Sequence, residues 1–238
     1  MVRVHSPRPF FNAMNANILV LIPAFNEEKF LDELLSRVKS YFPPENILVV
    51  NDGSTDRTAD IARAHKVLLI ENRPNRGKGF SLNRGFDYAV RHGFDAVITM
   101  DADLQHDPDE IPLFIEAYRR GCDLVIGSRW NNLQNMPMDR YLSNRMTTTI
   151  ISAIAGQRVE DTQSGYRLIS TKVLRRVHVK ASHYDAESEL IVLAARAGFK
   201  ICNVPIKTIY GQESSSINKF MDTYRFIKLV FRLIFFPS

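Results

Sequence analysis

The chain has 238 residues, 45% hydrophobic and 24% charged, with a formal net charge of +5 and a pI near 9.2. This is the composition of an ordinary soluble globular protein, long enough to bury a core in one large or two small domains, and its basic balance favours anionic partners such as nucleotides, phospholipid surfaces or nucleic acid, without choosing among them. The two cysteines, Cys122 and Cys202, lie far apart and have no metal-type spacing, so no disulfide framework is expected and cytoplasmic residence is the default.

Residues 1–17 read as a basic, Pro-containing arm with no apolar core of the signal-peptide kind. The fold is expected to occupy 18–238, with a first half at 18–128 and a second at 129–238. "ILVLIP" (18–23) predicts a buried strand. A helix follows over 27–42, where Phe30, Leu31, Leu34, Leu35 and Val38 recur at helical spacing before Pro43 and Pro44 stop it. "ILVV" (47–50) predicts a second strand and 56–66 a helix; "VLLI" (67–70) predicts a third strand and 78–92 a helix. Residues 96–100 form a fourth strand, 108–120 a helix, and "DLVIGS" (123–128) a fifth strand. Strands alternating with helices predict a mainly parallel α/β sheet covered on both faces.

In such sheets ligands bind beyond the carboxyl ends of the strands. The loops there are "PAFNEE", "NDGSTD" and "DADLQ", which bring Asn26, Glu27, Asn51, Asp52, Asp101 and Asp103 to one edge. On extended backbone Asp101 and Asp103 would share one side, and two like charges so close need a cation or hydrogen-bond donors. A hard divalent ion such as Mg²⁺ or Mn²⁺ meets that need and leaves positions for phosphate; a simple turn is the alternative. Asp107, Pro108, Asp109 and Glu110 are explained by helix initiation. "NRGKGF" lacks P-loop spacing, and no G-x-G-x-x-G follows the first strand, which argues against an ordinary dinucleotide fold.

"IPAFNEE", "VVNDGSTDRT", "NRGKG", "MDADLQHDP", "GSRW" and "DTQSGYR", in that order, resemble the family 2 glycosyltransferases of the GT-A fold. The nearest likeness is to the dolichol-phosphate mannosyltransferase branch, which loads a sugar onto a polyprenyl phosphate. The resemblance implies that Asp101, Asp103 and Gln105 hold the metal and diphosphate. It also implies that Pro23, Ala24, Asn26, Glu27, and Asn51 or Asp52 hold the nucleoside, with Lys78 and Ala102 among the nucleotide-sugar contacts. An inverting, metal-dependent transfer is implied, from a nucleotide-diphosphate sugar to a polyprenyl phosphate at the cytoplasmic face of a membrane. Transfer to a sugar hydroxyl and a sugar-nucleotide-binding protein without turnover are the alternatives. No nucleic-acid motif is present, and homo-oligomerisation stays open.

In the second half arginines gather: Arg129, Arg140, Arg145 and Arg167. Their planar forks suit phosphate. By resemblance Arg129 and Arg145 are expected on the acceptor phosphate, with Arg167 in the same group. Asp161 is the best remaining carboxylate, as a catalytic base, an orienter of an arginine, or a turn cap. Glu187 and Glu189 are expected as first-turn acids of a helix running to Gly198. The loop 211–219 is either a lid or a connector. In "YRFIKLVFRLIFF" the cations Arg225, Lys228 and Arg232 share one face of an otherwise apolar helix, which suits a membrane interface or packing on the fold.

Overall fold

A computed structural model describes residues 16–129, 138–177, 185–207 and 219–235, with backbone only at 138–142, 185–186 and 219–225. The expected N-terminal arm to residue 15, Arg140's side chain and the loop 208–218 lie outside the described residues. Seven strands form one sheet: β1 (Ile18–Ala24), β2 (Ile47–Asn51), β3 (Leu68–Glu71), β4 (Ala96–Thr99), β5 (Leu124–Ser128), β6 (Arg167–Ser170) and β7 (Ile201–Pro205). Their order is β3-β2-β1-β4-β6-β5-β7. All neighbours are parallel except β6, which runs against both β4 and β5.

The apolar runs are continuous because both faces of the sheet are covered. Along β1, Ile18, Val20 and Ile22 enter one core with Leu31, Leu34, Leu35 and Phe114. Leu19 and Leu21 enter the other, with Ala89 and Phe94. The first face carries α1 (Leu31–Val38), α2 (Thr58–Ala64) and α4 (Ile111–Arg119). The second carries α3 (Lys78–Arg91), α5 (Met138–Ala155), α6 (Thr171–Arg176), α7 (Asp185–Arg196) and α8 (Lys219–Phe235). Gly85 lets α3 lie against β1, since a Cβ there would fall 2.2 Å from Leu21.

The first helix starts later than its apolar spacing predicts, at Leu31 rather than residue 27. Glu27 and Glu28 donate their N–H groups to Thr58 Oγ1 (2.9 Å) and the Asp56 carboxylate (3.0 Å). They belong to the joint between two loops, and this joint displaces the helix start. A second difference concerns the cysteines. Parallel pairing of β5 with β7 sets Val125 opposite Cys202, and Cys122 precedes β5, so residues 80 apart in sequence form a disulfide with a Cα–Cα distance of 5.9 Å. The expectation of unpaired thiols is corrected by a strand adjacency that spacing does not encode. The cysteines therefore give no support for a reducing compartment.

Candidate active site

Four carboxyl ends and one amino end meet at a single edge. β1, β2 and β4 are parallel, so 24–28, 51–56 and 100–106 emerge together. Because β6 is antiparallel, with Arg167 opposite Thr99, the segment 161–166 preceding it reaches the same edge. Ser128 and Arg129 arrive there at the end of β5.

The first two loops are stitched by their polar side chains. Asn26, at φ +57°, accepts from the Thr55 N–H through Oδ1 (2.9 Å) and donates its own N–H to Ser54 Oγ (2.9 Å). Asn51 Oδ1 accepts from the Ser54 N–H (3.1 Å). Asp52 is buried, and its carboxylate accepts from Asn72 Nδ2 (2.7 Å), the Arg76 N–H (3.0 Å) and the Gly77 N–H (2.7 Å). It fixes "NRGKG" across the second loop and delivers Lys78 to the centre of the edge. Gly53 is required where it stands: its φ is +77°, and a Cβ there would fall 2.8 Å from the Asn75 backbone nitrogen. Pro23 is half-buried, Ala24 and Ala102 are buried, and Glu27 is half-buried. A cavity of about 330 Å³ opens beside Asn51, Gly53, Ser54 and Asn72 and does not extend to Asp101.

Asp101 is the electrostatic centre. Lys78 Nζ lies 2.6 Å from its Oδ1, and Glu187 Oε1 lies 3.7 Å from the same ammonium. The Asp101 N–H donates to His106 Nδ1 (3.0 Å), and His106 Nε2 stands 3.9 Å from Asp101 Oδ2. Burial alone would raise the Asp101 pKa; Lys78, His106 and Arg129 together outweigh it and hold the carboxyl at about 2. Burial lowers His106 to about 4, so near pH 7 the ring is neutral, accepts at Nδ1 and carries its proton at Nε2, stacked on Tyr166 at 5.0 Å. Asp103 follows, its Oδ1 accepting from the Gln105 N–H (3.0 Å). Between them Leu104 has φ +61°, a conformation costing a branched residue on the order of 1–3 kcal/mol. Such strain is found where a loop is held in shape for a site.

Asp161 holds an arginine. Its oxygens accept from Arg129 Nε (2.6 Å) and NH2 (2.8 Å), a two-pronged pair, and its Oδ1 also accepts from the Gln163 N–H (3.2 Å). Of the roles read for Asp161, orienter and turn cap fit these bonds. Arg167 is not the surface contact expected of an acceptor-binding residue. It is 2% exposed and donates to the carbonyls of Ser164 (2.7 Å), Thr162 (2.8 Å) and Glu187 (2.9 Å). Arg145 is exposed on α5.

Residues 19–180 match the family described as Glycosyl transferase family 2. The chain belongs to that family. It is 32% identical to the UDP-N-acetylglucosamine–dolichyl-phosphate N-acetylglucosaminyltransferase of Methanococcus voltae, over 83% of this chain and 87% of that one. It is also 32% identical to the polyprenol monophosphomannose synthase of Mycolicibacterium smegmatis, over 79% and 76% of the two chains. In fold it is similar to glucosyl-3-phosphoglycerate synthase from Mycobacterium tuberculosis in complex with Mn²⁺, UDP and phosphoglyceric acid. That match has a TM-score of 0.75 at 19% identity and covers 94% of this chain and 80% of that one. The protein is a glycosyltransferase with a GT-A-like α/β fold.

Two carboxylates of the transferase have places that their helix-start positions did not suggest. Glu187, on the first turn of α7, reaches Lys78. Glu110 is buried, its Oε1 accepts from the Lys207 N–H (2.6 Å), and among the described residues its Oε2 has no hydrogen-bond partner. Burial, with some repulsion from Asp107, pushes its pKa up to about 7 against the pull of that N–H. A carboxyl raised from 4.5 stabilises the fold while protonated. That contribution is complete below about 4.5 and is lost as pH rises through about 7, roughly 2 kcal/mol in all once solvent screening is allowed for. Glu110→Gln keeps the acceptor and removes the charge. Thermal melts at pH 4 should match the parent, and at pH 8 the variant should melt several degrees higher. Parallel pH dependence in the two proteins would assign the effect to another group.

Proposed function

We propose that this glycosyltransferase moves a sugar from a nucleoside-diphosphate sugar to a polyprenyl phosphate, with inversion, at the cytoplasmic face of a membrane. Its two relatives above are named for transfer to dolichyl phosphate and for polyprenol monophosphomannose synthesis. The observation that carries the reading is Arg129. A guanidinium gripped on two nitrogens by a buried carboxylate, yet 21% exposed at the edge that holds Asp101, is a cation fixed in advance for an anionic acceptor.

The residues also fit a divalent ion. Asp101 stays ionised at any working pH, and Asp103 and Gln105 add hard oxygen donors two and four residues on. Mg²⁺ or Mn²⁺ bound at Asp101, Asp103 and Gln105 would act as a Lewis acid toward the departing diphosphate. The chain's own residues do the rest. Pro23, Ala24, Asn26, Glu27, Asn51 and Asp52 form the stitched loops proposed to seat the nucleoside, with Ala102 at the diphosphate and Lys78 beside it. A phosphate acceptor has a second pKa of about 6 and is already anionic near neutral pH, so no strong base is needed. This suits an Asp161 committed to positioning Arg129, with exposed Arg145 as the second proposed phosphate contact.

The test is transfer from UDP- and GDP-sugars, offered a short polyprenyl phosphate beside a sugar-hydroxyl acceptor. Product is expected on the phosphate, and product on the hydroxyl alone would refute the reading. Arg129→Ala should raise the acceptor KM about ten- to hundred-fold, the cost of one charge-assisted contact, while leaving donor affinity close to that of the parent. An equal loss for the donor would move Arg129 to the diphosphate.

α8 supports a membrane-facing role for its outer side. Leu229 and Leu233 are buried against the fold, and Arg232 pairs with buried Glu189 at 2.9 Å. Arg232 is thus not the interface cation expected, because α7 claims it. Outward stand Ile227, Phe231, Ile234 and Phe235, each more than half exposed, beside exposed Lys228; the Arg225 side chain lies outside the described residues. Among the described residues no helix is long and apolar enough to cross a membrane. An interfacial contact should therefore show as sedimentation with anionic vesicles. Phe231→Ser with Phe235→Ser should lower that binding at an unchanged melting temperature, and undiminished binding would exclude this face.

A further inference from the structure

Lys78 occupies one of the two Asp101 oxygens open to the proposed metal. Its ammonium is 2.6 Å from Oδ1, about hydrogen-bond contact, and Glu187 flanks it at 3.7 Å. The pocket for that ammonium is shaped by Gly165, whose carbonyl is anchored by Thr99 Oγ1 at 2.7 Å. A Cβ on Gly165 would lie 3.1 Å from Nζ and 3.0 Å from Asp101 Oδ2. The lysine itself comes from the amino end of α3, held there by Asp52 through the Arg76 and Gly77 N–H groups. Two neighbouring half-buried carboxylates without a cation would be costly to maintain. Here the fold supplies its own counter-cation through the side chain of a residue 23 positions upstream of Asp101.

Mg²⁺ sits about 2.0–2.1 Å from a carboxylate oxygen. On Oδ1 it would stand roughly 4 Å from an ammonium at 2.6 Å, so the two cations repel each other and metal binding weakens the lysine contact. We infer that Lys78 is a tethered counter-ion that competes with the divalent metal: it neutralises Asp101, and metal binding there drives the ammonium from that oxygen. Lys78 is in this sense a positioning residue, acting through Asp101. The exchange gives Glu187 a role too, since its carboxylate is the neighbouring anion toward which the displaced ammonium can shift. This inference rests on the metal reading of Asp101 and Asp103 above.

The experiment is Mn²⁺ binding without nucleotide, followed by the electron paramagnetic resonance of free Mn²⁺. Lys78→Met removes the competing cation and should bind Mn²⁺ about ten-fold more tightly than the parent. Lys78→Arg retains a cation and should bind no more tightly than the parent. Glu187→Gln, which takes away the anion that receives the displaced ammonium, should bind Mn²⁺ more weakly. Melting temperatures identify any variant that fails to fold. In that event lysine-selective ¹³C NMR of the parent serves, where Mg²⁺ should shift one lysine resonance that is missing from Lys78→Arg. Equal Mn²⁺ affinity in parent and Lys78→Met, or no lysine resonance responding to Mg²⁺, overturns the exchange. If no protein, parent included, binds Mn²⁺, it is the metal reading itself that has failed.

Discussion

Asp103→Asn is expected to abolish sugar transfer, by a factor on the order of 10²–10³ or more, and to leave the fold at its parental melting temperature. Asparagine retains the Oδ1 that accepts from the Gln105 N–H, so the turn around Leu104 persists while one charged oxygen is lost. Asp101→Asn also removes transfer, but its melt should change, because Lys78 and Glu187 are then rearranged around a neutral side chain. Initial rates with Mg²⁺ and Mn²⁺, read beside circular-dichroism melts, separate these outcomes. Metal-dependent turnover at the parental rate in both variants would remove Asp101 and Asp103 from the chemistry.

The edge itself was legible because its determinants are local. Apolar runs of four to seven residues fix the strands, helical spacing fixes α1, α3 and α4, and each strand end carries its own polar loop. Asp107 caps the turn at Pro108–Glu110 by accepting from the Asp109 N–H at 3.1 Å, as an Asp-Pro start predicts. Parallel topology then assembles 24–28, 51–56 and 100–106 without further information.

What escaped the sequence depends on adjacency between distant elements. β6 runs antiparallel and inserts between β4 and β5, so 161–166 folds over Asp101, and nothing in "DTQSGYR" states that direction. The same insertion places β7 beside β5 and joins Cys122 to Cys202. Glu110 and Glu187 sit where first-turn acids are expected, a sufficient local explanation that concealed their long-range partners, Lys207 and Lys78. A buried and an exposed arginine look alike in sequence. Arg129 and Arg167 differ in what the fold offers them: a buried carboxylate that leaves the guanidinium partly exposed for one, three backbone carbonyls inside for the other.

That difference makes Arg167→Ala the most destabilising substitution expected at the edge. Its guanidinium ties Thr162 and Ser164, in the loop over Asp101, to Glu187 at the start of α7, and all three carbonyls lose their donor together. Burial already pulls the guanidinium pKa below its usual value, with Glu187 and Asp161 pulling it back, so the charge is kept there by its partners. Leaving a buried acceptor without its donor costs about 1–3 kcal/mol, so three together amount to several kcal/mol, or roughly 10 °C in melting temperature for a domain of this size. Arg167→Lys reaches fewer of the three carbonyls and should fall between parent and alanine. A role on the acceptor phosphate forecasts the reverse: a parental melt for both variants and a raised acceptor KM that lysine partly restores. Thermal melts of the two variants, followed by acceptor kinetics on whichever remains folded, distinguish a residue that builds the edge from one that uses it.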